Sequence, residues 1–324
     1  MTRAVTWGVL GASTFALESM APAIHAARRA RLGALATRDT RRAAPFRALV
    51  PDLAIHDSYD ALLADPAIDA VYIPLPNALH MIWTERAVAA GKAVLCEKPI
   101  GMTARDLDRL CALREASGRF IAEAWMPAHH PQWARVRRML ADGVLGRLHT
   151  VTGVFTYGLS DPADVRNDAG LGGGALRDVG VYPIGAFRHA TGLEPEVTGA
   201  EALWENGVDT SAWVQARAGA VRFSFHVSMR TTRRQEMVFE GDAGWLVVRA
   251  PFNPGPYGEA ALHLCRPGQP DHVERFPDVR QYEAQVEAVC ASLLDGAPFA
   301  MPLEASRGTQ GVIDAVFDRL GAAR

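Results

Sequence analysis

Two short stretches carry side chains able to move a proton and to stabilise negative charge: Glu97-Lys98-Pro99, which closes the apolar run "AVLCEKP", and Asp178 with Tyr182 in "ALRDVGVYPIG". A free tyrosine phenol titrates near ~10, too high for a base at neutral pH, but a nearby ammonium favours the phenolate and lowers that value. Lys98 is a candidate for that ammonium, Tyr182 for the acid or base, and Asp178 for the group that orients them. Asp178 and Tyr182 stand four residues apart, which on a regular helix projects both from one face. Each residue also has a plainer reading. Glu97 and Lys98 suit a charged strand exit, Tyr182 a half-buried anchor, and Asp178 an ion pair with Arg177 or Arg188.

The elements that must position these groups are legible in the first 124 residues, where short apolar runs alternate with stretches rich in helix formers. That pattern predicts an α/β domain, a parallel sheet covered by helices on both faces. Strands are expected at "AVTWGVLG", "RLGALAT", "DAVYIPLP", "AVLCEK" and "RFIAEAW", with helices near 20–29, 40–49, 59–64, 82–90 and 104–116. Ligands bind such a sheet at the carboxyl ends of its strands, so Pro76, Asn77, His80, Glu97 and Lys98 should gather along one edge.

The turn after the first strand, "GVLGASTFALESM", places Gly11, Ser13 and Ala16 where a dinucleotide fingerprint has G-x-G-x-x-G/A. Gly11 suits the tight turn and Ala16 close packing of helix on sheet. Ser13 is small enough for backbone amides to approach a pyrophosphate, and its hydroxyl could donate to one. Thr14 and Phe15 complete this candidate cofactor turn. The second strand ends in Thr37-Arg38-Asp39. Thr37 and Arg38 favour NADP, an arginine being suited to the 2′-phosphate; Asp39 leaves NAD open and also suits the cap of the following helix.

After Trp125 the pattern changes to one helical stretch, then runs rich in β-branched and aromatic residues separated by turn residues, then a helical tail from Tyr282. The division expected is residues 1–124 and 125–324, the second an α+β domain with an open, mostly antiparallel sheet and helices on one face. Trp125 and His129, at the junction, and Arg166 and Asp168, ahead of "GLGGG", are candidate substrate contacts. A Trp125-Met126 pair is more often core, and Arg166 with Asp168 also suits a loop ion pair. Gly172, Gly173 and Gly174 give the chain freedom to enter the Asp178 helix beside a ligand.

The chain has 324 residues, 49% of them hydrophobic, and a net charge of −2, which suits two packed domains without a basic face for nucleic acid. Its four cysteines, Cys96, Cys111, Cys265 and Cys290, form no metal-site spacing and suit reduced thiols. No apolar run is long enough to span a bilayer, and the opening residues lack a signal-peptide cleavage region, so the cytoplasm is the expected location. Apolar, aromatic strands in the second domain suit burial of the outer sheet face in a homodimer or homotetramer.

The fingerprint turn, "PLPNALH", "CEKPIG", "AEAWMPAHHPQ" and "RNDAGLGGGALRDVGVYPIG", in this order, resemble the glucose-fructose oxidoreductase and inositol dehydrogenase superfamily of NAD(P)-dependent oxidoreductases. The resemblance implies a Rossmann domain followed by a sheet domain that covers the nicotinamide, with a small-molecule substrate. It makes Lys98 a substrate-facing residue of the family's EKP motif and Glu97 a cofactor contact. Asn77 and His80 then line the cofactor near its ribose and nicotinamide end. Asp178 and Tyr182 match an Asp-x-x-x-His pair with tyrosine in place of histidine, as in the branch with dihydrodiol dehydrogenase, xylose dehydrogenase and sugar 3-ketoreductases. The implied reaction is hydride transfer to or from a sugar, polyol or diol, with Lys98 supplying the charge that a metal would otherwise give. The same superfamily includes non-catalytic dinucleotide sensors, against which the pair Lys98 and Tyr182 argues.

Overall fold

The computed structural model describes residues 3–322. The first part of the chain alternates β1 (Val5–Leu10), α1 (Ala21–Ala26), β2 (Ala30–Ala36), α2 (Thr40–Leu49), β3 (Ala54–His56), α3 (Tyr59–Ala64), β4 (Ala70–Ile73), α4 (His80–Ala89), β5 (Ala93–Cys96), α5 (Ala104–Ser117) and β6 (Ile121–Glu123). The strands pair in parallel in the order β3-β2-β1-β4-β5-β6, the doubly wound arrangement expected. Every residue of β1, β4 and β5 is buried, because both sheet faces are covered. Along β1, Val5, Trp7 and Val9 face one core layer with Ile24 and Phe46, while Leu10 joins Leu62, Val71 and Leu107 in the other. β3 was not expected; it is three partly exposed residues at the sheet edge.

The second part carries α6 (Pro131–Ala141), β7 (Leu148–Gly158), α7 (Val181–Thr191), β8 (Glu196–Glu205), β9 (Val208–Ala218), β10 (Val221–Ser228), β11 (Arg230–Gly241), β12 (Trp245–Arg249), β13 (Ala261–Cys265) and β14 (His272–Arg275). The strands form one sheet, order β14-β13-β12-β11-β7-β10-β9-β8, antiparallel except for the β7 and β10 pair. In β9, Val214 and Ala216 are buried while Trp213, Gln215 and Arg217 are exposed, so this sheet has one covered and one open face.

Two helices close the chain, α8 (Gln281–Asp295) and α9 (Leu303–Leu320). One compact unit comprises residues 1–101, 105–129 and 280–306, the other 102–104, 130–279 and 307–324. α8 belongs to the first unit because Val286, Val289 and Cys290 complete the core layer that holds Trp7 and Ile24. No helix among the described residues is long and apolar enough to cross a membrane.

Two helices depart from regular α geometry in the same way. A π turn, Ala16–Met20, runs into α1, where Ala21 N–H reaches back five residues to Ala16 O just before Pro22. A second π turn, Leu176–Gly180, runs into α7 ahead of Pro183. A proline has no N–H for the regular ladder, and the widened turn takes up the mismatch. The first helical segment accordingly starts near Thr14 and ends at Ala26, earlier than expected.

Candidate active site

In the first unit, Gly11 ends β1 at φ +108°, a conformation suited to glycine, and a Cβ there would stand 3.0 Å from Leu75 and 3.2 Å from the Tyr59 hydroxyl. Ser13 Oγ accepts the Ala16 amide at 3.0 Å, so the serine caps the helix. Thr14 is exposed at the helix start, and Phe15 turns its ring inward, edge-on to Tyr282 at 5.7 Å. At the end of β2, Asp39 caps α2 and pairs with Arg41. Arg38 is exposed; its charge and that of Arg42 both act on the Tyr59 phenol beside Gly11. This glycine turn, helix start and pair of arginines at the carboxyl edge of β1 and β2 fit a phosphorylated dinucleotide.

The segments after β4 and β5 are tied together. His80, expected along the cofactor, is 0% exposed, its Nδ1 2.8 Å from Pro99 O and its Nε2 2.7 Å from Leu75 O. Burial, aided by the Lys98 charge, holds its pKa below the ordinary value against the pull of both carbonyls. His80 therefore clamps the two loops together. Asn77, after Pro76, opens the short turn Asn77–Leu79, half-buried. Glu97 accepts the Tyr72 hydroxyl at 2.6 Å; burial raises its carboxyl pKa, opposed by Lys98 and Tyr72. Lys98 is half-buried at the carboxyl end of β5 and its bond to Pro99 is cis. Trp125 is only 1% exposed. His129 is half-buried, its ring 5.0 Å from Phe299.

In the second unit the entry to the Asp178 segment is shaped by glycines. A side chain at Gly173 would collide with the Arg166 carbonyl, and one at Gly174, φ +115°, with the Asp209 carboxylate. Asp209 accepts the Leu176 amide at 2.7 Å, and burial pushes its carboxyl up to about 7. Asp168 is exposed, and its Oδ1 caps its own turn by accepting from Gly170 N–H and Leu171 N–H.

Asp178 and Tyr182 are both buried, 8% and 6% exposed, with the end of the π turn between them. Arg188 pairs with Glu194 at 2.7 Å. Asp178 Oδ2 is 3.1 Å from Arg166 Nε and accepts the Tyr157 hydroxyl at 2.5 Å. Arg166 also contacts Asp164 at 3.2 Å, so this expected substrate contact is held by two carboxylates. The Tyr182 ring packs against Phe155 at 5.0 Å and Phe252 at 5.3 Å. Gly153 lets α7 approach β7, since a Cβ there would lie 2.9 Å from Pro183 Cβ. Tyr157, near the end of β7, escaped the sequence reading; its one signal is that it shares a strand face with Phe155.

Comparison with known proteins decides the family. A model described as oxidoreductase family, NAD-binding Rossmann fold, matches residues 5–124, and one for the GFO/IDH/MocA C-terminal domain matches residues 133–247. The chain belongs to the Gfo/Idh/MocA oxidoreductases. This member is 33% identical, over 97% of its length and 95% of the relative's, to dTDP-3,4-didehydro-2,6-dideoxy-alpha-D-glucose 3-reductase of Actinomadura kijaniata. It is also 33% identical to D-xylose 1-dehydrogenase (NADP(+)) 2 of Haloferax volcanii, with 96% of each chain covered. The solved structure of a 3-ketoreductase from Actinomadura kijaniata in complex with NADP and TDP-benzene matches with TM-score 0.91 at 30% identity, over 98% of each chain. The Gfo/Idh/MocA chain described here is therefore an oxidoreductase with a dinucleotide-binding Rossmann unit and a sheet unit.

Proposed function

We propose that this protein uses NADP to interconvert a carbinol and a carbonyl on a sugar, polyol or diol ring, with Lys98 and Tyr182 as its acid-base pair. The observation that carries the reading is Lys98 at the carboxyl end of β5, in the sheet order whose carboxyl edge binds ligands. The dinucleotide supplies or accepts the hydride. Tyr182 gives or takes the hydroxyl proton, Lys98 polarises the substrate oxygen and favours the phenolate, and Asp178 orients the exchange. Arg38, with Arg42 beside it, favours NADP over NAD by meeting the 2′-phosphate.

The likeness to a dTDP-keto-sugar 3-reductase favours, as a second reading, the reductive direction on a keto-sugar. The same residues serve both directions, by microscopic reversibility. The protein works in the cytoplasm as a homo-oligomer, its open sheet face against another copy. Trp213, 43% exposed and stacked on His226 at 4.8 Å, lies on that face together with exposed Trp245.

The test is turnover of NADP and NADPH with a panel of sugars, keto-sugars, polyols and dihydrodiols, in wild type, Lys98→Met and Tyr182→Phe. Each variant should lose about 100-fold or more in kcat with dinucleotide binding intact. Losses below about tenfold would remove these residues from the acid-base role.

A further inference from the structure

Tyr157 has no part in the reaction just described, yet its hydroxyl makes a short contact to the site's carboxylate, 2.5 Å from Asp178 Oδ2. We propose that Tyr157 is a positioning residue: it donates to Asp178 and, with Arg166 on the same oxygen, holds that carboxylate in one orientation for proton exchange at Tyr182. The proposal rests on the functional reading above only for what Asp178 then does.

Three observations carry it. First, the chemistry is one-directional: burial and the Asp178 charge push the Tyr157 phenol far above its ordinary pKa, so it stays a donor. Asp178 in turn is the largest influence holding the Arg166 guanidinium charged. A carboxylate facing a buried phenol and a guanidinium makes charge-assisted hydrogen bonds, the strong kind.

Second, the hydroxyl is not needed for packing. Phe155, on the same strand face, fills the aromatic layer between Tyr182 and Phe252, while Tyr157 meets Phe155 edge-on at 6.5 Å. A phenylalanine at 157 would fill the same space, so the oxygen is there for the carboxylate.

Third, the backbone is locally adjusted at this point. The register of β11 against β7 shifts between Arg230 and Arg234, pairs of Gly158 and Thr156, so the bulge lies opposite Tyr157. Thr156 Oγ1 secures it by donating to Thr232 O at 2.6 Å. The extra residues, 231–233, belong to β11, and bulges are over-represented beside active sites. The donor thus sits near the end of an interior strand of the sheet, and the acceptor on a π turn. Rigid elements hold such constellations better than loops do.

The test is Tyr157→Phe, which keeps the ring and should melt within a few degrees of wild type. In wild type and variant labelled with carboxyl carbon-13 aspartate, without substrate, the Asp178 signal is identified by its loss in Asp178→Asn. Its titration midpoint should rise by about one pH unit in Tyr157→Phe, the scale of one hydrogen bond to a charged group. Arg166→Gln, which removes the other contact to the same oxygen, should shift it in the same direction. In turnover, kcat of Tyr157→Phe should fall about tenfold with the KM for dinucleotide unchanged, and the acid limb of the profile should move up with the midpoint. An unmoved midpoint, or a rate loss of equal size at every pH, overturns the proposal. If wild type turns over none of the panel, the functional reading fails while the carbon-13 titration still decides the role of Tyr157.

Discussion

Asp209 occupies the space that a side chain at residue 174 would need, and from there its Oδ2 accepts the Leu176 amide at 2.7 Å. A carboxyl whose folded pKa is raised to about 7 by burial carries a pH signature. Unfolded, it titrates near ~3.9. The folded state binds the extra proton between these values, so the stability linked to it is complete below about pH 4 and is lost as the pH rises to 7. Asp209→Asn has no such proton and keeps an oxygen for Leu176. From pH 5 to pH 8, urea unfolding of wild type should lose about 3 kcal/mol more than the variant loses. Equal losses would show that Asp209 is ionised throughout.

Arg38 is exposed beside the cofactor turn, whereas Asp39 is engaged with Arg41 and the start of α2. On the proposed reading, with the acidic group occupied, Arg38 meets the 2′-phosphate and sets the preference. Arg38→Ala should raise the Kd for NADPH by about tenfold or more and change that for NADH less than twofold, read by fluorescence titration. An equal loss for both dinucleotides would assign Arg38 a structural role.

Trp213 is a large apolar ring left in water on a flat sheet face. If that face is covered by a second copy, Trp213→Glu buries a charge in the interface and weakens association by about 30-fold or more, the scale of an interface hot spot. Sedimentation across a concentration series should then show wild type associated and the variant shifted toward monomer. A wild type monomeric at every concentration would leave the face for another purpose.

The strands of the dinucleotide unit were readable because parallel strands buried on both faces are continuous apolar runs, as in "VTWGVL" and "AVLC". Ala54–His56 and His272–Arg275 were missed for the opposite reason: each is short and partly exposed, and pairing alone makes it a strand. Hydrophobic spacing does not distinguish a π turn from an α turn, although Pro22 and Pro183 mark both places where one forms. His80 illustrates the limit at the site. A histidine at the edge of a parallel sheet reads the same whether it meets a ligand or two carbonyls, and its partners, Leu75 O and Pro99 O, are set by tertiary structure. Tyr157 was invisible in the same way, since strand alternation fixes its face but not what its hydroxyl meets.

The placement of α8 has a consequence for the order in which the protein can form. Val286, Val289 and Cys290 share a core layer with Trp7, Ile24 and Leu32, yet some 150 residues of the other unit are synthesised between them. A nascent chain that has emerged only as far as His129 presents that layer to water without its last helix. The dinucleotide unit therefore matures after the sheet strands have been made, although its strands are made first, and cofactor capture should be a late event on the ribosome's timetable.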